Sequence, residues 1–384
     1  MNFKIYMMGF LSVTLLSSCD PTETPEPTPN TNRVVNTNIK TNTTWYSDTV
    51  YQLGGRIAVE DGATLTIQPG TIIKGEAGTG ANATALLIAR GGKLNAVGTP
   101  SLPIIFTSVA DEITPSDILS GNFASPNLDP TVNGLWGGVI ILGNAPISAS
   151  NTSGDVSSVQ IEGIPTSDQN GLYGGDNSHD NSGVLKYISI RHGGANIGSG
   201  NEINGLTLGG VGFGTTVENI EVVANQDDGI ECFGGTVNLT NVVSWNVGDD
   251  GFDTDQSWSG TLDNFVIINP AGHIFELDGP EGTYANGHTI KNGDVYVGIG
   301  QDLINVDANS IVDLMDIYFT DITGLNQINR VTAVGVTFNN IVLNVDSVSA
   351  YVNGTVPSGI TAGQTPKANT SPLSWTWAKI AGLF

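Results

Sequence analysis

Asn219-Ile-Glu-Val-Val-Ala-Asn-Gln-Asp227-Asp228-Gly229-Ile230-Glu231 lies over Asn241-Val-Val-Ser-Trp-Asn-Val-Gly-Asp249-Asp250-Gly251-Phe252-Asp253 without a gap, at a constant offset of 22 residues. A looser copy runs from Asn264-Phe265-Val-Ile-Ile-Asn to Phe275-Glu276, and an earlier one ends in Asn204-Gly205-Leu206, giving steps of 24, 22 and 23 residues. This period is too short for a helix pair, and the segments between glycines are short runs of Val, Ile, Phe and Thr with two-residue alternation, a strand signature. Three short strands and three turns per repeat make one coil of a right-handed parallel β-helix, with coils about 4.8 Å apart.

Stacking brings Asp227 beside Asp249 and Asp228 beside Asp250. Like charges at that spacing repel by roughly 1–4 kcal/mol per pair. A hard cation such as calcium, carboxylates of raised pKa, or a nearby Lys or Arg could neutralise them. Neither Lys nor Arg occurs from Asn219 to Asn286, which favours calcium, with Asp227, Asp228, Glu231, Asp249, Asp250 and Asp253 as candidate ligands. The competing reading is that Asp-Asp-Gly is turn chemistry alone.

If Ile230, Phe252 and Phe275 point inward, alternation turns Glu231, Asp253 and Glu276 outward in one column, and Phe233, Asp255 and Asp278 in the next. Trp258 lies just beyond, and Trp245 on a neighbouring strand is either core or a platform. Glu276, Asp255, Asp278 and Trp258 are therefore candidate contacts for a glycan or other ligand, and Tyr173 joins them if the irregular segment 165–183 folds back over the acidic face to wall a groove. His179, His192, His273 and His288 show no metal spacing and read as turn or surface residues, and Cys232 reads as an inward, inert thiol.

The chain begins with a secretory leader, residues 1–18: Lys4, an apolar run from Gly9 to Leu16, and a small-residue site. Leu16-Ser17-Ser18-Cys19 resembles a bacterial lipoprotein box, which implies lipid on Cys19. Asp20 and Glu23 resemble the surface-export signals of Bacteroidota lipoproteins, which implies an outward-facing outer-membrane protein anchored by lipid alone. Residues 19–43, with Pro21, Pro25, Pro27 and Pro29, read as a semi-extended tether. The β-helix is expected over 44–370, and Ser371 to Phe384, with Trp375 and Trp377, as a cap over the open end.

With 13 Lys and Arg against 37 Asp and Glu, a net charge of −24, nucleic acid is excluded as a partner. Only 13% of residues are charged and 50 are glycine, which suits many tight turns. Beside Cys19 there is one further cysteine, so no intrachain disulfide is expected. Residues 111–135 and 165–183 break the strand rhythm with Asp, Asn, Ser, Pro and Gly and read as loops leaving the stack.

Ala63-Thr-Leu-Thr-Ile-Gln-Pro-Gly-Thr, Gly91-Gly-Lys-Leu-Asn-Ala-Val-Gly-Thr, Trp136-Gly-Gly-Val-Ile-Ile-Leu-Gly-Asn-Ala-Pro and Asn201-Glu-Ile-Asn-Gly-Leu-Thr-Leu-Gly-Gly-Val-Gly resemble β-helical surface lipoproteins of Bacteroidota, within the pectate-lyase-like β-helix superfamily. Asp249-Asp250-Gly251-Phe252-Asp253 also resembles calcium sites of β-helical polysaccharide lyases. A lyase needs a Lys or Arg base, and Lys291 and Arg191 are the nearest in sequence, neither on the acidic strand; a hydrolase needs two suitably spaced carboxylates. Three functions stay open: calcium-assisted binding of a glycan or another extracellular ligand, a calcium-dependent lyase or hydrolase, and a structural adhesin.

Overall fold

The computed structural model describes residues 31–198, 203–323 and 327–384; the leader and Cys19 lie outside them. The chain winds into a right-handed parallel β-helix. One flank is an eight-stranded sheet running in chain order through Arg56–Val59, Ala85–Ile88, Val139–Leu142, Leu206–Gly209, Ile230–Phe233, Phe252–Asp255, Phe275–Leu277 and Asn305–Val306. Its ladder pairs Leu206 with Ile230, Ile230 with Phe252 and Phe252 with Phe275. The sequence offsets are the strand register. Ile230, Cys232, Phe252, Phe275 and Leu277 all point into the core, each large apolar side chain contributing roughly 1.5–3 kcal/mol by leaving water.

The second sheet has fifteen strands and bends. In the first coils its two halves are separate strands; they fuse at Gly183–Arg191, which pairs with Lys93–Val97 through its first half and with Ile104–Ser108 through its second. The bend falls at Tyr187, φ +54°, and recurs at Asn219, Asn241 and Asn264, φ +58°, +61° and +59°. Asparagine tolerates this left-handed conformation because its short side chain can bond locally. Here it bonds to the next coil: Asn241 Nδ2 donates to Asn219 Oδ1 at 3.2 Å and Asn264 Nδ2 to Asn241 Oδ1 at 2.7 Å.

Both irregular segments cover outer faces. Ile113, Ile118 and Phe123 pack on Val50, Ile72 and Ile105 of the long sheet. Residues 144–175 lie over the early strands of the eight-stranded sheet, where Ile147, Ile161, Ile164 and Tyr173 pack on Leu87, Ile140, Leu142 and Phe233. Phe233 thus points outward, as alternation requires, yet is buried.

Three boundaries differ from the sequence reading. The second excursion, expected at 165–183, already includes the strand pair Ala149–Asn151 and Gly154–Val156. The stack starts before residue 44: Thr31–Val35 pairs in parallel with Thr49–Leu53, and Ile39 joins the core, so part of the expected tether is the first coil. The C-terminal segment does not cap the open end; Val345, Val348, Tyr351 and Val356 pack there. The tail instead runs back along the long sheet. Asn369 N donates to Asn264 Oδ1 at 2.7 Å and Ala378 N to Glu221 Oε1 at 3.0 Å, while Leu373, Trp377 and Ala378 cover Val223, Val243, Trp245, Val266 and Ile268. Trp245 and Trp377 meet edge to face at 5.5 Å, which makes both packing residues.

Candidate metal centre

The acidic residues gather where the eight-stranded sheet emerges from beneath the 144–175 segment. Glu231 pairs with Asp253, and Asp253 with Glu276, so the outward column forms as the alternation predicts. The turn before each strand supplies the rest. Asp250 N donates to Asp228 Oδ1 at 2.9 Å, binding one Asp-Asp turn to the next. The glycine of this turn is set by crowding, since a Cβ on Gly229 would lie 2.2 Å from Ser244 Oγ and 2.8 Å from the Gly251 carbonyl oxygen.

Three groups of side chains place a ligand atom from each member within 4.8 Å of the others: Asp228 with Glu231 and Asp253; Asp227 with Asp228 and Asp249; and Asp250 with His273 and Glu276. All six sequence-predicted ligands fall in these groups, but they divide among three positions. Such clusters can hold a metal ion. The first is the most enclosed: Asp228 and Glu231 are buried, and Glu231 accepts from Asn204 Nδ2. Asn204, 1% exposed, leaves its Oδ1 without a partner, as Asp253 leaves its own Oδ1. An orphaned buried oxygen on Asp253, within an all-carboxylate donor set, fits a hard cation such as calcium, which takes oxygen ligands.

Electrostatics report the same strain. Burial, reinforced by the neighbouring carboxylates, holds Asp228, Glu231 and Asp253 well above the ordinary carboxylate range. Burial first, then neighbouring acids, puts Asp255 at about 7 and Asp278 at about 6. Glu276 stands at about 8, from burial and its contact with Asp250. His273, which the sequence reading set aside, is a member of the cluster: its Nδ1 lies 3.0 Å from Asp250 Oδ1, and that contact lifts its pKa to about 9 against its own desolvation.

The two aromatic candidates are not ligand contacts. Tyr173 is 2% exposed and donates its hydroxyl to Gln256 Oε1 at 3.0 Å; Trp258 is 1% exposed and donates Nε1 to the Val237 carbonyl at 3.0 Å. Both rings close gaps in packing. Of the basic residues weighed for lyase chemistry, Arg191 is buried in an ion pair with Glu221 at 3.7 Å, and Lys291 pairs with Asp263 at 3.3 Å on the long sheet. Arg330, unremarked in sequence, reaches the end of the acidic face but donates to Asp307 Oδ1 at 3.2 Å and to the Val306 carbonyl.

These coils, parallel strands and stacked acidic turns match a known family across two segments, residues 37–121 and 123–291, described as the pectate-lyase like beta helix domain. The chain belongs to the pectate-lyase-like β-helix family. The match covers more than half of the chain and both Asp-Asp-Gly turns. Neither the curated proteins nor the solved structures give a significant match. Membership of this family fits carbohydrate binding or lyase activity.

Proposed function

We propose that this protein is a lipid-anchored surface protein that binds an acidic extracellular glycan non-catalytically, with calcium held by the ladder of acidic turns. The observation that carries this reading is the enclosed group of Asp228, Glu231 and Asp253, in which Asp253 Oδ1 has no hydrogen-bond partner. There a calcium ion would relieve like-charge repulsion and satisfy an orphaned oxygen. The half-exposed carboxylates that follow it, Asp255, Glu276 and Asp278, form the face on which a second ion could bridge to uronate groups. Arg191, Lys291 and Arg330 are all held in ion pairs, which speaks against a free base and hence against the lyase alternative.

The test combines a melting curve with a binding assay. Calcium should raise the melting temperature and chelator should lower it. Retention on immobilised polygalacturonate should require calcium and release no unsaturated products. A melting temperature indifferent to chelator would falsify the metal assignment, and unsaturated products would replace binding by lysis.

A further inference from the structure

The third group differs from the others in chemistry. Asp250 stands on the turn before Phe252–Asp255, His273 on the turn before Phe275–Leu277, and Glu276 on that strand, so two successive coils converge on one point. Asp250 is 1% exposed, while His273 and Glu276 are half-buried and open to the outer face. His273 Nδ1 is shut off from solvent without a hydrogen-bond partner, and lies 3.0 Å from Asp250 Oδ1, an oxygen that also accepts from the His273 backbone N–H. Its other ring nitrogen, Nε2, faces the Asp302 carboxylate at 3.9 Å and Asn305 Nδ2 at 3.5 Å. At 3.9 Å Asp302 makes no hydrogen bond to the ring; what the geometry offers is an unpartnered, solvent-free imidazole nitrogen converging with one carboxylate oxygen each from Asp250 and Glu276, all within 4.8 Å of one another.

We infer that Asp250, His273 and Glu276 form a second cation site, selective for a first-row transition ion of the zinc class and distinct from the oxygen-only calcium group at Asp228, Glu231 and Asp253. Imidazole ligands favour zinc, copper, iron and nickel, whereas calcium takes oxygens. Three protein ligands on an open face leave a position for water or a ligand oxygen, as catalytic rather than structural zinc sites do. The site shares Glu276 with the ligand face described above, but zinc uptake is read without glycan, so its failure is distinguishable from failure of the binding reading.

The full mature chain, freed of metal by chelator and dialysis, is titrated with zinc by calorimetry and with cobalt by visible absorption. Parallel titrations use His273→Ala, Glu276→Gln and Asp253→Asn, each checked for fold by circular dichroism. One zinc should bind in competition with cobalt, with a cobalt spectrum characteristic of a nitrogen ligand. Affinity should fall at least tenfold in His273→Ala and Glu276→Gln, no less than loss of an outer-sphere partner costs elsewhere. Asp253→Asn should keep zinc and gain less thermally from calcium than wild type does. The assignment is overturned if wild type takes up neither ion, if both site variants bind zinc as wild type does, or if calcium displaces zinc at equal concentration.

Discussion

Asp253 concentrates the physics of the acidic face in one side chain. It is flanked by Glu231 and Glu276 in its column, one of its oxygens has no partner, and its proton is held well above the usual range by burial and by Glu276. Replacing it by asparagine removes the titratable group and keeps the shape, so Asp253→Asn should melt higher than wild type without metal and gain less from calcium; differential scanning calorimetry in the two conditions reads both. The same groups set a pH dependence. Asp255, Glu276 and Asp278 keep their protons to about 7, 8 and 6 when folded, whereas the unfolded chain releases them near 4. Stability therefore falls as pH rises from about 4 to 8. His273, raised to about 9, adds stability that is complete below about 6.5 and disappears through 9. Buried His288, lowered to about 3, opposes this trend by costing stability as pH falls below about 6.5. Metal-free protein should accordingly melt highest near pH ~5 and progressively lower to pH ~9, and calcium should remove most of the alkaline loss; a flat profile would refute the account.

Among elements, the tail is the one that sequence periodicity could not place. Its contacts join residues far apart, such as Ala378 to Glu221 and Asn369 to Asn264, and no repeat points from one to the other. The acidic strands were legible because Leu206, Ile230, Phe252 and Phe275 carry their register in their spacing. His273 could have been read as well. Aligning Phe275 on Phe252 sets His273 against Asp250, so the degraded third copy replaces a repeat carboxylate by an imidazole. Composition marks a loop but not which side chains it turns inward, so Tyr173 reads as a groove contact yet packs beneath its own segment; alternation gives no direction past the strand end, and the turn after Asp255 folds Trp258 inward onto Phe252 and His288. The tail's importance is measurable. Trp377 covers the Trp245 ring and lies over the buried Arg191 guanidinium, 4.9 Å from its centroid, so Trp377→Ala should cost about 3–5 kcal/mol in urea unfolding. Arg191→Met should cost a comparable amount by leaving Glu221 buried without its counter-charge.

At the scale of the whole molecule, each coil touches its neighbours in the stack, and stability is shared through those contacts. The proposed calcium group draws Asp228 and Glu231, then Asp253, from two successive coils, and Asn204 of the coil before donates to Glu231. Calcium should therefore slow amide exchange across those three coils and leave Arg56–Val59 and Ala85–Ile88 unchanged; uniform protection along the whole stack would contradict it. A helix of coils would ordinarily unwind from a free end. Here the last residues are fastened to the middle of the body, at Glu221 and Asn264, so tension on the carboxyl terminus is delivered first to Leu373 and Trp377 pressed against the central strands. The final turns sit slack inside a closed loop, and peeling can begin at that end only after the tail has torn loose.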